Sequence, residues 1–468
     1  MHKILPKIIY ITVVFFSACT NSTNHTKNAI QYDSEGTPYN NLFLDSIQIN
    51  HYIYSSKLLD SSQKRDFATF YKDRNYQCVW FDSRGIGEQA DRFLTLNKSF
   101  FTLFPAPSLN NSVLDTIVKA YLNSTTHFDT VDNKFINTEL DLTTRLLLYA
   151  QLAYAGRQDI NAKELAWLIP RKKVSYSGSL DSLLENSTNN PDIFEPSFFQ
   201  YKMLKTYLQR YVEMEKTHPW KIIQIDKKQY IKGDSSNAIA AIKERLFLMG
   251  DFSVKDTSKL FNDSLSMAIA KFQHRYGIKE DSTINASVIN EINRPLRSRI
   301  QQMIANLERL RWVPDLPDRY IVVNIPEFRI HIYDHAEHQW AMDVVVGKPT
   351  HNTNIFSAKL QYVVFSPYWN VPYSIVKNEM GRSASYFSKR NMVVVGKYSD
   401  DLPIVRQKPG ASNSLGKVKF LFPNAYNIYF HDTPEKALFR ASKRAFSHGC
   451  IRLAEPAKLA AYLLQYDP

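Results

Sequence analysis

Lysine and arginine are scattered along this 468-residue chain and nowhere gather into a basic run. Without such a run, or an RNA-binding signature, nucleic acid is not what the net charge of +13 serves. An anionic lipid surface or an acidic polymer stays compatible with it. The apolar run near the start, residues 8–16, is too short to span a bilayer as a helix. Cysteine is scarce, with three residues at Cys19, Cys78 and Cys450. Hydrophobic residues are not scarce: at 44% of the chain, with 13% aromatic, they rule out a largely disordered protein. The length allows about three domains with real cores.

Lys3, Lys7, the apolar run and Phe16-Ser17-Ala18-Cys19 follow the order of an export signal. Ending on cysteine, the segment resembles a bacterial lipobox, in which Cys19 is lipidated and becomes the first residue. The expectation is a lipoprotein signal over 1–19 and a polar tether over 20–44. The protein would then sit in the periplasm, lipid-anchored to a membrane of a Gram-negative-type bacterium. Cys78 and Cys450 are left. A disulfide between them would silence a Cys450 nucleophile, and Cys78 is read as buried beside Trp80 and Phe81.

From 45 to 225 the pattern is mostly helical. Leu142, Leu146, Tyr149, Ala150 and Ala153 share one helical face, and Phe199, Met203, Tyr207 and Val212 another. Residues 186–190 read as a surface loop. Residues 229–293 form a compact unit of three helices. The first opens at Lys232-Gly233-Asp234-Ser235, presents Ile239, Ile242 and Leu246, and ends near Gly250. The second presents Leu265, Ala268, Ile269, Phe272 and Tyr276, and the third Val288, Ile289 and Ile292. A connecting helix over 294–319 follows, with Ile300, Met303, Ile304, Leu307 and Leu310 along one side.

Beyond it the hydrophobic period becomes two. Strands are expected at 320–325, 328–333, 340–347, 360–367, 392–396, 418–422 and 426–431. The fold class is therefore α+β and multidomain, with a mainly β domain over 320–468. His331, His335 and His338 have a spacing that suggests metal ligands, but they flank a hairpin turn where polar residues belong. No metal and no cofactor is expected.

The chemistry gathers at 431–453. Ser447-His448-Gly449-Cys450 places a thiol in a tight turn, with His431-Asp432-Thr433-Pro434 upstream. A thiol of ordinary pKa needs a base to become a nucleophile, and either His431 or His448 titrates in the right range. Gly449 lets backbone approach a bound carbonyl closely, so that amides there face a developing oxyanion.

Tyr429-Phe430-His431-Asp432-Thr433-Pro434 and Ser447-His448-Gly449-Cys450-Ile451-Arg452-Leu453 resemble the L,D-transpeptidases with a YkuD-type catalytic domain, in their large multidomain periplasmic branch. Val322-Val323-Asn324-Ile325-Pro326, Val344-Val345-Val346-Gly347-Lys348 and Tyr368-Trp369-Asn370-Val371-Pro372 resemble the same domain. Residues 70–81 resemble the scaffold domain that precedes it. Lys271-Phe272-Gln273 and Tyr276-Gly277-Ile278 resemble a three-helix peptidoglycan-binding module, with Asp281-Ser282 where Asp-Gly is usual. Asn354 replaces the proline of Thr-Pro-X-Phe, a change in loop stiffness, and 373–417 fall where larger members carry a capping segment.

The resemblance implies a peptidoglycan cross-linking enzyme. Cys450, deprotonated by His431, would attack the carbonyl before the terminal D-Ala of a tetrapeptide stem. The resulting thioester would pass to a diamino-acid amine as a 3–3 cross-link. A backbone carbonyl, rather than the Asp432 side chain, would orient the base. Gly449 and Cys450 amides would hold the oxyanion, Tyr429 would line the site, and Ser447 and His448 would hold the turn. Arg452 would bind a stem carboxylate or brace the loop, and Trp369 would wall the donor groove. Two other readings stand beside this one: a carboxypeptidase in which water takes the thioester, and a non-catalytic wall-binding protein. The last draws on the end at Pro468, where family members usually continue with another strand; on that reading 320–468 would be the least stable domain.

Overall fold

The computed structural model describes residues 42–123, 132–162, 164–165, 167–172, 194–335, 337–350, 353–381 and 383–465. The export signal, Cys19, nearly all of the tether and the loop read at 186–190 lie outside the described residues. No helix of the described residues is long and apolar enough to cross a membrane.

Helices Ser46–Ser55, Ser61–Asp73, Glu88–Leu103, Ser112–Leu122, Asn133–Tyr154 and Phe199–Thr217 build the first unit, with a hairpin of β1 (Phe81–Asp82) and β2 (Gly85–Ile86). Several start where a short polar residue offers an oxygen to the free amides of the first turn: Asp45, Asp60, Asn111 and Asp132 all cap in this way. Helix Asn133–Tyr154 runs through the middle and buries Leu142, Leu146, Tyr149, Ala150 and Ala153, the face read from the sequence.

The same helix carries Glu139, fully buried yet fully used. Its carboxylate accepts the Val79 amide at 2.6 Å, the Trp80 amide at 2.9 Å and the Tyr71 hydroxyl at 3.0 Å, pinning the aromatic turn after Asp73 onto the core. Cys78 is buried beside this carboxylate.

Two readings of this region need correction. Helix Phe199–Thr217 buries Tyr201, Leu208, Tyr211 and Met214, while Phe199, Met203 and Tyr207 are exposed. Aromatic and apolar residues surround this helix, so two faces compete and the neighbouring helix decides between them. That neighbour is Leu296–Arg311, read as a connector. Its Leu296, Ile300 and Leu307 belong to the same core as the first unit, so it closes that core.

The second unit has its own core around Ile239, Ile242, Leu246, Leu265, Phe272 and Ile292. Its helices are Asn237–Met249, Asp263–Arg275 and Ala286–Ile292, joined at their ends by β3 (Gln229–Tyr230) and β4 (Ile284–Asn285). Gly250, at φ 84°, ends the first helix in the left-handed conformation. In the Asp281-Ser282 turn, the Gln273 side-chain oxygen accepts both turn amides, at 3.1 and 2.9 Å. Ser282 is held at φ 56°, a conformation that a side chain resists. Ser282→Gly should therefore stabilise this unit by about 0.5–1 kcal/mol. Thermal melting of the full chain with and without the substitution measures it, and an unchanged or lower melting temperature counts against the argument.

The third unit is the mainly β domain. Its large sheet runs β5 (Tyr320–Asn324), β6 (Arg329–Asp334), β7 (Glu337–Gly347), β15 (Ile451–Leu453), β13 (Phe430–His431), β12 (Val418–Leu421) and β8 (Tyr362–Phe365), with β14 (Ala445–Ser447) paired to β7. Ile330, Ile332, Val344, Phe420, Phe430, Ile451 and Leu453 fill one face, against helix Pro456–Leu464. A smaller lobe holds β9 (Trp369–Asn370), β10 (Met392–Lys397) and β11 (Pro403–Gln407) with helices Tyr373–Glu379 and Ala384–Lys389. It has a separate core of Val371, Val376, Phe387, Met392 and Val405. This lobe occupies the expected capping segment.

The strand expected over 426–431 contracts to Phe430–His431, because Asn427 turns left-handed at φ 55° and breaks the extended run. Strands β9, β11, β14 and β15 were not anticipated. The last two are three residues each, too short for an alternating pattern to register.

Candidate active site

Sheet register assembles the site. Antiparallel pairing sets Lys419 of β12 opposite His431 of β13, and parallel pairing sets His431 beside Arg452 of β15. Side chains alternate along a strand, so these three lie in one row on the face away from the Phe420, Phe430 and Ile451 core. Two residues back on that face come Tyr429 and Cys450, tied by the Ile451 amide donating to the Tyr429 carbonyl at 3.1 Å. Histidine and cysteine come onto one sheet face because their strands are adjacent.

The turn before β15 is held from several sides. Gly449 adopts φ 112°, open to glycine and closed to other residues. The Ser447 hydroxyl donates to the Cys450 carbonyl at 2.5 Å and accepts the Gly449 amide at 3.1 Å. That second bond corrects the reading of Gly449 as an oxyanion donor, since its N–H is already engaged. Thr353, buried, accepts the Gly347 amide at 2.9 Å and donates to the Gly449 carbonyl at 2.8 Å, clipping the turn to β7. His448 points from the exposed side of the turn to the capping lobe, its Nε2 2.6 Å from the Glu379 carboxylate. Arg452 forms an ion pair with Glu435, a contact of the kind a brace makes.

His431 is buried and its Nδ1 lies 2.5 Å from the Asp432 carbonyl. A carbonyl only accepts, so Nδ1 carries the proton and Nε2 is left with its lone pair, the tautomer of a base. The Asp432 carboxylate faces elsewhere: it accepts the Lys417 and Thr433 amides at 2.8 and 2.7 Å and pairs with Lys436 at 2.8 Å. Burial, together with the Arg452 and Lys419 charges beside it, holds His431 down to about 3, against the lift of the Asp432 carbonyl.

The half-buried Cys450 thiol is pushed up by burial, opposed by the Tyr429 backbone and hydroxyl and by Lys419 and Arg452. Its proton rests on the Asn427 carbonyl, 3.5 Å from the sulfur, and among the described residues it makes no hydrogen bond to His431. Burial, and then the Cys450 charge, pushes the Tyr429 phenol up, so it stays a donor, with the Trp369 indole beside its hydroxyl. Sequence reasoning missed Asn427, Lys419 and Thr353. Asn427 follows Asn424, whose side chain ties the Phe422 and Ile428 carbonyls at 2.6 and 2.7 Å, and the Pro-Asn pair there was the available signal.

At the hairpin of β6 and β7, His331 faces His338 at 3.2 Å and Glu327 at 2.9 Å. Among the described residues no group of three histidine, cysteine or carboxylate side chains is placed to hold a metal ion.

Thr353→Val keeps the shape of the clip and removes both its bonds. A part-buried amide and a buried carbonyl then lose their partners, at about 1–3 kcal/mol each. The turn carrying Cys450 shifts, and acylation should fall roughly 10–100-fold, with Thr353→Ser retaining most of it. Acylation rates followed by mass measure this; a Val variant as fast as the parent would show that Thr353 does not position the turn.

Residues 318–468 match the YkuD L,D-transpeptidase catalytic domain, and residues 65–208 match the Scaffold domain. A Haemophilus influenzae protein named "Putative L,D-transpeptidase" is 32% identical over 184 residues, which are 35% of this chain and 37% of that one. The chain thus spans little more than a third of that relative. A solved L,D-transpeptidase from Xylanimonas cellulosilytica aligns at 13% identity, over 52% of this chain and 93% of that one, with a TM-score of 0.16. A fused Zn-dependent amidase/peptidase/peptidoglycan-binding protein from Clostridium acetobutylicum aligns at 16%, over 50% and 93%, also at 0.16. Scores this low carry no argument.

Proposed function

We propose that the chain, whose residues 318–468 match the YkuD L,D-transpeptidase catalytic domain and 65–208 the Scaffold domain, cross-links peptidoglycan through a thioester on Cys450. The observation that carries this is the sheet face shared by Cys450, Tyr429 and His431, with Nδ1 of His431 bound to a carbonyl and Nε2 left with its lone pair.

The reaction begins as the thiol leaves the Asn427 carbonyl and gives its proton to Nε2 of His431. The sulfur attacks the carbonyl between the diamino-acid L-centre and the terminal D-Ala of a tetrapeptide stem. The Cys450 amide and the Tyr429 hydroxyl then donate to the oxyanion. Protonated His431 returns its proton to the departing D-Ala nitrogen, leaving the thioester. A side-chain amine of a neighbouring stem, losing its proton to His431, then displaces the sulfur to give a 3–3 cross-link. Substrate and acceptor are both stem peptides, and the step uses no cofactor.

Incubating the full chain with a disaccharide-tetrapeptide and weighing the intact protein tests this. The expected adduct is the muropeptide less D-Ala, located on Cys450. Absence of any acyl-protein would overturn the reading. Dimeric against trimmed muropeptides among the products separate cross-linking from hydrolysis. The surroundings of the site belong to the same reading: export to the periplasm, a lipid on Cys19, and a wall-facing or spacer role for 229–293. The export-signal sequence ending at Cys19 supports the first two.

A further inference from the structure

Two cations flank His431 in the row across the sheet, and only one of them is neutralised. Arg452 is paired with Glu435. Lys419, half-buried on β12, has no carboxylate partner among the described residues; its ammonium lies 3.8 Å from the centre of the Tyr429 ring. Holding an unpaired ammonium half-buried on a sheet face is unfavourable unless something there uses the charge. The other charged groups around the thiol are committed. The Asp432 carboxylate is bound to Lys417, Thr433 and Lys436, and Glu379 pairs with His448.

We propose that Lys419 is a positioning residue for the nucleophile. Its unpaired charge, applied across the Tyr429 ring, supports the Cys450 thiolate and keeps His431 neutral and able to accept a proton. The inference rests on the reading of Cys450 as nucleophile, but it concerns the resting site and needs no substrate. The effect on the two partners is opposite in kind: a nearby cation favours the anion of cysteine and disfavours the cation of histidine. Burial pulls the Lys419 ammonium down while the Cys450 charge lifts it, the reciprocal of that coupling. The ring beneath the ammonium gives cation–π support and fixes its direction.

The test is a pH titration of thiolate ultraviolet absorbance in the full chain, with the Cys450→Ala trace subtracted so that Cys78 and Cys19 drop out. A parallel NMR titration follows the His431 imidazole. In Lys419→Met the thiolate should appear about one pH unit later, a tenfold smaller fraction at a given pH below the midpoint. His431 should titrate higher, and Lys419→Arg should restore both. Lys419→Gln, with a polar tip for the half-buried position, repeats the measurement should the Met variant misfold. A merely structural lysine moves neither titration, so unchanged curves in a folded variant overturn the proposal. Unchanged curves with a raised KM for the tetrapeptide also overturn it, and assign the cation to a substrate carboxylate. If the titrations shift as stated yet no acyl-protein forms with the muropeptide, the transpeptidase reading fails and this one stands.

Discussion

Cys450→Ala is expected to end turnover and thioester formation together while the fold stays in place. In the proposed mechanism the sulfur forms the covalent bond, so its loss removes the route rather than slowing it. A drop on the order of a million-fold, to the detection floor, is usual when a covalent nucleophile is deleted. The fold tolerates the change because the turn is held by groups other than the thiol. Ser447, Thr353 and the Gly449 conformation fix the backbone, and the thiol makes a long contact to the Asn427 carbonyl and weak ones to Tyr429. Melting temperature should move by no more than a few degrees, about 1 kcal/mol or less. Cys78 cannot substitute: it is buried in the first unit, and burial and Glu139 push its thiol far up. Retained cross-linking by the Ala variant, with muropeptides as the readout, would sink the mechanism.

His431→Ala should slow acylation by roughly two to four orders of magnitude, the range for a positioned base. The pH dependence is the sharper signature. Burial pulls His431 down to about 3 and pushes Cys450 above its ordinary value, so at neutral pH both are uncharged. Between the two midpoints the wild-type site always holds one thiol proton and one free imidazole lone pair. Its acylation rate should be nearly flat there. Without the imidazole, only spontaneous thiolate reacts, and that fraction grows about tenfold per pH unit until the thiol titrates. The variant should therefore climb steadily with pH and approach the wild type at the alkaline end. Superimposable profiles would move the base role to another group. His448 should not show this behaviour, since its ring contacts Glu379 of the capping lobe on the far side of the turn.

How far the sequence reached follows from the kind of signal each element sends. Long periodic segments such as Asn133–Tyr154 and the three helices after Ser236 were legible because a buried face must repeat every turn. Cys450 and His431 were legible through their motif. Lys419 was not, because nothing local distinguishes it from any other lysine on a strand; its meaning lies in register with His431, a relation between strands. Thr353 was invisible for the same reason, acting on Gly449 across a long sequence gap. The exposed Phe199, Met203 and Tyr207 show the converse failure: an apolar stripe with no partner looks the same as one with a partner until the neighbouring helix is placed.

Thr353 also belongs to a longer chain of contacts. The helical unit reaches the β domain where Trp167 bridges Ile355 and the Leu168 amide donates to the Ile355 carbonyl at 2.9 Å. Ile355 lies two residues past Thr353, whose hydroxyl takes the Gly347 amide and gives to Gly449. In hydrogen-exchange terms, the amides of Leu168 and Gly347 should then behave as latches on one strap that opens and closes as a unit. A proton lost from Leu168, in the helical part, would record the moment at which the turn of Cys450 is unclamped in the sheet. Slow, matched exchange at both amides would mean that the thiol is held in place by a domain that contributes no atom to the chemistry.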